Sequence, residues 1–262
     1  QLEGNGVSLS GISGEINFNN KVGFSTAKLY ANGRKLALEM DASSGERTKV
    51  TLSANSSALP LLPNWVFDDF IAKGELTNGT LEIAEIESHI AKGILRGKAR
   101  VDWRSGWSIE GSLAAKNIAS QNLSGGGSGD IEGTARFQMR SATLAKLPDV
   151  ATMDGSLIMS KGVINGIDIV ETATRRSTEN LPGGRTHFDE LWSDFSFAND
   201  AYNFRQLKIK AGVMTAKGTL DVNKQQLSGR ITADMALRSD NMGTIPMQIG
   251  GSADNPTLKM LR

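Results

Sequence analysis

Apolar and polar residues alternate with a period of two along most of the chain, in short runs separated by Gly- and Asn-containing dipeptides. Glu15-Ile-Asn-Phe18 and Val22-Gly-Phe-Ser-Thr-Ala-Lys-Leu-Tyr30 flank Asn19-Asn20, and Arg34-Lys-Leu-Ala-Leu-Glu-Met-Asp41 follows Asn32-Gly33. Lys49-Val-Thr-Leu-Ser-Ala54 follows Ser44-Gly45, and Asn78-Gly79 and Ser105-Gly106 punctuate the next runs. A period of two sends successive side chains to opposite faces of a strand. Asn-Gly tolerates the left-handed backbone that a two-residue hairpin turn requires. After residue 180 the pattern continues over 195–197, 202–209, 213–222, 226–237 and 247–250. In Arg230-Ile-Thr-Ala-Asp-Met-Ala-Leu-Arg238, Ile231, Ala233, Met235 and Leu237 fall on one face and the intervening residues on the other. These runs predict a meander of about 14 to 17 antiparallel strands.

Three stretches depart from alternation and predict short helices. Val66, Phe67, Phe70 and Ile71 fall at helical spacing after Pro63-Asn64, which predicts an amphipathic helix over 64–72. Residues 142–150 and 170–177 predict two more. No long helix is available to cover an apolar sheet face, and βαβ units are absent. The expected fold is therefore mostly β: an elongated, strongly curved antiparallel sheet, taco- or groove-like or an open barrel, with about three short helices. The glycine run Ser124-Gly-Gly-Gly-Ser-Gly129 suggests a boundary, with a β-meander over 1–120 and a second β region over 121–262; the alternative is one continuous domain.

Composition agrees with many short strands: 39% hydrophobic residues, 29 glycines and only six prolines in 262 residues. The formal net charge of +1, with both signs well mixed, gives no electrostatic footprint for nucleic acid. Absence of cysteine excludes disulfides, thiolate catalysis and Cys-ligated metal. The longest apolar piece, Leu59-Pro-Leu-Leu-Pro-Asn-Trp-Val-Phe67, is too short and too broken by proline to be a membrane-spanning helix. Any membrane anchor is expected upstream of Gln1.

Enzyme chemistry finds little footing, and no catalytic residue, metal ligand or cofactor site is expected. The two histidines, His89 and His187, are far apart, and Thr186-His-Phe-Asp-Glu190 lacks the spacing of a helical zinc site. Gly93-Ile-Leu-Arg-Gly-Lys98 misses the P-loop spacing and continues into Ala99, where a hydroxyl would hold Mg²⁺. Gly125-Gly-Gly-Ser-Gly129 leads into a strand, so it offers no helix N-terminus to a phosphate. Asp168, which interrupts the apolar run Gly166-Ile-Asp-Ile169, is expected to cap the 170–177 helix.

Four elements carry a resemblance to a known family. They are the run Gly155-Ser-Leu-Ile-Met-Ser-Lys-Gly-Val-Ile-Asn-Gly-Ile-Asp-Ile169, the T-x-F-D-E-L element from Thr186 to Leu191, the strand Gly218-Thr-Leu-Asp-Val222, and the tail Ile245-Pro-Met-Gln-Ile-Gly-Gly-Ser-Ala-Asp-Asn-Pro256. In this order over about a hundred residues they resemble the C-terminal region of the AsmA family of bacterial envelope proteins, related to the TamB-like proteins. Before about residue 110 the likeness is one of style only, in Gly-punctuated strands. The resemblance implies a periplasmic β-rich region, anchored in the inner membrane in the full-length protein, that takes part in phospholipid traffic and outer-membrane homeostasis.

The apolar faces are then the candidate binding surface. The expected lining from the first half of the resembling region is Leu157, Met159, Val163 and Ile167, continued by Leu207, Ile209 and Met214. Leu220, Ile231, Met235 and Leu237 complete it. Nine methionines suit a surface that adapts to varied acyl chains. The expected partner is a phospholipid or other acyl lipid, with envelope proteins as further partners. The competing expectations are an ordinary sandwich core acting as a scaffold for outer-membrane protein assembly through exposed strand edges, and a carbohydrate-binding domain using Trp65, Trp103, Trp107 and Trp192.

Overall fold

The alternating runs form strands. A computed structural model describes the chain except for residues 1, 5–6, 20–22, 44–46, 123–126, 176–177, 237–240 and 262. A small hairpin, β1 (Leu2–Gly4) with β2 (Val7–Leu9), stands apart from the main ladders. The remaining strands pair antiparallel with their neighbours. Contact clustering divides the chain into two units, one of residues 1–115 and 136–152, the other of 116–135 and 153–262.

In the first unit the ladder runs in chain order: β3 (Ser13–Asn19), β4 (Gly23–Ala31), β5 (Leu36–Asp41), β6 (Thr48–Leu59), β7 (Leu62–Thr77), β8 (Thr80–Ile90) and β9 (Gly93–Asp102). The unit also takes the first part of β10 (Trp107–Ala119) and the last part of β11 (Gly127–Ser141). Register gives every row one chemical character. Leu29, Leu38, Leu52, Ala72, Ile86 and Gly97 face one another in succession across β4 to β9. Ala27, Met40, Val50, Gly74, Ile83 and Ala99 form the next apolar row on the same side.

The opposite face is charged and paired across the strands. Lys28 stands opposite Glu39, Lys73 opposite Glu85, Glu82 opposite Arg100 and Glu87 opposite Arg96. Their ion pairs measure 3.5, 3.0, 2.8 and 3.2 Å respectively. Such exposed pairs contribute about 0–1 kcal/mol each. Their larger effect is on register, because a slip of one residue would bring apolar groups to the charged face.

The second unit is built from β12 (Thr152–Asn165), β13 (Leu181–Pro182), β14 (Arg185–Ala198), β15 (Ala201–Ala211), β16 (Met214–Asn223), β17 (Gln226–Ala236), β18 (Asn241–Gly251) and β19 (Pro256–Met260), with one helix, α1 (Ile169–Arg175). The consecutive strands β14 to β19 pair in order, and β13 also pairs with β19. Leu207, Gly218, Ile231, Met247 and Met260 form one apolar row across it.

Two of the three expected helices are corrected. Residues 64–72 lie inside β7, paired with β6 and, from Asp69 onward, with β8. The pairing of Val66 to Ile71 is regular despite the helical spacing, and the aromatic and β-branched content of Trp65-Val-Phe-Asp-Asp-Phe-Ile71 favours the strand. Residues 142–150 form two 3-10 turns, Leu144–Lys146 and Pro148–Val150, in place of an α-helix. Pro148 supplies no backbone N–H there, so the i to i−4 ladder cannot run through it. Among the described residues one α-helix remains, over Ile169–Arg175.

Two-residue turns with left-handed backbone close many hairpins. Asn78-Gly79 behaves as its sequence predicts, with φ of 24° and 79°. Ala91-Lys92 and Lys224-Gln225 adopt the same conformation without any glycine, at φ of 49° and 67°, and 45° and 70°. Asn20, the Ser44-Gly45 turn and residues 124–126 of the glycine run fall outside the described residues.

Candidate functional site: two apolar faces

The two units treat their apolar faces differently. In the second, the face is filled by side chains. Ile167, Ile169, Phe188, Leu207, Ile209, Met214, Ile231, Met235, Ile245, Met247, Ile249 and Leu258, with three alanines, form one cluster in which no residue exceeds 7% exposure. Helix α1 contributes Ile169, Thr172 and Ala173 to that interior, and it packs against β14 and β19. Large, flexible residues such as Met214 and Met247 are entirely enclosed.

Of the expected lining residues, Ile167, Leu207, Ile209, Met214, Ile231 and Met235 belong to this cluster, with Met159 and Leu220 packed against it. Leu157 and Val163 are half-buried and stand outside it, and Leu237 lies outside the described residues. The sequence pattern therefore brings eight of the eleven together, in a packed interior.

Three of the four signature elements, all but Gly218–Val222, meet at one junction in the same unit. Asp168 Oδ1 accepts the Glu171 N–H at 2.8 Å, and the Asp168 carbonyl accepts the Thr172 N–H at 3.1 Å, so Asp168 is the N-cap of α1. Thr186, itself buried, holds both sides of that turn: its hydroxyl accepts the Ile169 N–H and donates to the Ile167 carbonyl, each at 3.0 Å. The Phe188 ring covers Gly162, where an added Cβ would stand 2.2 Å from the ring. Gly166, at φ +85°, leaves room for Pro256 of the tail, whose ring would meet a Cβ at 2.4 Å. Asp189 Oδ2 accepts the Gly212 N–H at 2.8 Å and so fixes the turn between β15 and β16. These residues hold a structural junction.

In the first unit the apolar face is not covered in this way. Leu36, Val50, Phe67, Ile86 and Ile90 are buried there beside Ala27, Ala31, Ala54, Ala72 and Ala99, while Leu29, Leu38, Met40, Leu52 and Ile83 remain half-buried. In a packed two-layer core the longest side chains are the most enclosed, because they reach furthest into the facing layer. Here burial is uneven along the rows, and these five long side chains keep part of their surface accessible. The Phe137 ring lies over Gly111, 2.7 Å from where a Cβ would stand, and packs with Leu52, Phe70 and Ile83 around Ala72, Ile86 and Ala99. Sequence reasoning passed over this face because its alternation is identical to that of the second unit. Only the uneven burial along its rows distinguishes it.

Polar chemistry is sparse. Among the described residues no three His, Asp or Glu side chains gather as metal ligands. His89 Nδ1 lies 2.9 Å from both oxygens of Asp69 on the exposed face, and this hydrogen bond, reinforced by the charge of Asp69, raises the imidazole pKa. His187 is exposed between the buried Thr186 and Phe188. Trp103 and Trp107 lie with ring centroids 5.7 Å apart, and Trp107 borders a polar cavity of about 970 Å³ with Arg100, Arg104, Arg140 and Glu110. Arg104 pairs with Asp102 there and holds its carboxyl well below the usual range. Trp192 is covered by Lys208, whose Nζ is 5.0 Å from the ring centre. No helix among the described residues is long and apolar enough to cross a membrane.

A search for similarity finds no matching family model, no matching curated protein and no matching solved structure.

Proposed function

We propose that this chain is the periplasmic β-rich part of an AsmA-like envelope protein, anchored in the inner membrane, that holds the acyl chains of phospholipid against an apolar sheet face and so supports outer-membrane homeostasis. The observation that carries the reading is the face of the first unit, where Leu29, Leu38, Met40, Leu52 and Ile83 stay half-buried in continuous apolar rows. The four signature elements support the family assignment, and three of them serve the junction around α1.

The mechanism is passive, with no bond made or broken. An acyl chain on this face is kept from water, which is worth about 0.8 kcal/mol per CH₂. A lipid that leaves a bilayer exchanges one apolar environment for another, so its net transfer is nearly balanced. The face acts by removing the barrier of crossing water. The seven strands β3 to β9 span six inter-strand steps, roughly 29 Å at about 4.8 Å per step, before any twist is counted. That matches the hydrocarbon thickness of a bilayer, about 30 Å, or two acyl layers. Headgroups would remain solvated beside the face.

Native mass spectrometry of protein purified from bacteria should detect bound phospholipid. Leu38→Asp combined with Leu52→Asp should abolish that loading while strand content by circular dichroism is retained. Met235→Asp, placed in the filled interior of the second unit, should instead unfold the protein. Lipid-free wild-type protein, or undiminished loading in the Leu38/Leu52 variant, sinks the proposal.

A further inference from the structure

The hairpin of β6 and β7 extends beyond its neighbours. β5 pairs with β6 only as far as Ala54, and the Asn55 N–H then donates to the Lys35 carbonyl at 2.9 Å. β8 meets β7 only from Asp69, opposite His89. Between those limits β6 and β7 pair with each other alone, through Ser57 with Phe67, Ala58 with Val66 and Leu59 with Leu62. A two-stranded ribbon has little stability of its own. This one is held at its base by Phe67, which is 2% exposed with its ring 5.5 Å from Phe70.

Its tip is apolar. Leu62 is 41% exposed, Trp65 46% and Val66 62%. Val66 pairs with Ala58 and, beyond a register shift, Leu62 pairs with Leu59, which packs against Ala31, Leu36 and Ala54. From Asn55 to Phe67 there is no charged residue, whereas Asp68, Asp69 and His89 follow at the base, all exposed.

We propose that this hairpin tip docks the protein on a lipid bilayer, entering one leaflet with Leu62 and Val66 below the headgroups and Trp65 at the interface. The charge distribution has the same layering as a membrane surface: an uncharged tip, an indole suited to the headgroup level, and a charged collar at the water side. Five residues separate Leu62 from Asp68, roughly 20 Å of strand, enough to pass the headgroups and too short to cross a hydrocarbon core of about 30 Å. The acidic pair Asp68 and Asp69 gives no preference for anionic lipid, so a zwitterionic bilayer is the fitting partner. This docking is independent of acyl-chain holding on the sheet face.

Because the chain contains no cysteine, Leu62→Cys can carry a single polarity-sensitive fluorophore on the whole protein. Val213→Cys, at an exposed turn of the second unit, serves as the reference. With phosphatidylcholine vesicles the emission at position 62 should shift to the blue and be quenched by nitroxide-labelled lipid, while position 213 stays in water. Leu62→Ser with Val66→Ser should weaken co-flotation with vesicles at least about tenfold, with circular dichroism unchanged, since both side chains are exposed. Val66→Ser alone decides the matter if the double variant is unstable. The proposal is overturned by unshifted emission at position 62, by equal shifts at 62 and 213, or by flotation indifferent to the substitutions. A shift that needs no vesicles and grows with protein concentration would assign the tip to self-association and overturn it equally. Protein that loads lipid while position 62 stays in water sinks docking alone, and docking without loading sinks the lipid-holding reading alone.

Discussion

His89 is held to Asp69 across the β7–β8 pair, and the geometry sets its titration. Hydrogen bonding to the carboxylate is the larger cause of the raised pKa, with the charges of Asp69, Glu87 and Asp68 adding to it and desolvation opposing it. The charged imidazole is favoured in the folded state. Its stabilising contribution is thus fully present below the unfolded imidazole pKa and disappears as pH rises through the folded value. Both partners are about half exposed, so the energetic effect is small and the titration itself is the better readout. An NMR titration should place His89 above the ordinary histidine range, and Asp69→Asn should bring it back down. An unchanged midpoint in that variant would show that the pairing does not form in solution. None of this was legible in the sequence, where His89 and Asp69 are twenty positions apart.

Among the elements, α1 shows how far local sequence reaches. Asp168 was expected to cap a helix after the strand ending near residue 165, and it does so through its carboxylate and its carbonyl. Asp168→Ala should cost about 1 kcal/mol in urea unfolding, while Asp168→Asn should cost much less. A null effect in both would mean that the buried Thr186 bridge alone fixes the turn. The stretch at 64–72 shows the opposite outcome. Its apolar spacing fits a helix, but it pairs with β6 from Val66 and with β8 from Asp69, and the ribbon tip is exposed. The Pro148 break at 142–150 was readable in principle, since proline inside a nine-residue stretch leaves little room for a regular helix.

At the level of the whole molecule, the two apolar faces should respond differently to truncation. Met247, with no exposure, sits in the filled interior, and Met247→Ala should cost about 2–5 kcal/mol. Leu38, half-buried in a row with Leu29 and Leu52, has less to lose, and Leu38→Ala should cost about 1 kcal/mol. Equal losses by denaturant unfolding would show that the first face is packed as tightly as the second, which would remove the main support for acyl-chain holding there.

The sequence by itself determined the strands, their two-faced character and most of their turns, because a period of two and left-handed dipeptides act within a few residues. It also determined the cap at Asp168, for the same reason of locality. Tertiary structure decided which apolar face is filled and which is left half-open. Leu38 and Leu207 occupy the same kind of position in the same kind of alternation, yet only Leu207 is enclosed, in a cluster to which helix α1 contributes Ile169 and Ala173. Enclosure depends on what the rest of the chain brings to a face, and the alternation along one strand carries no record of that.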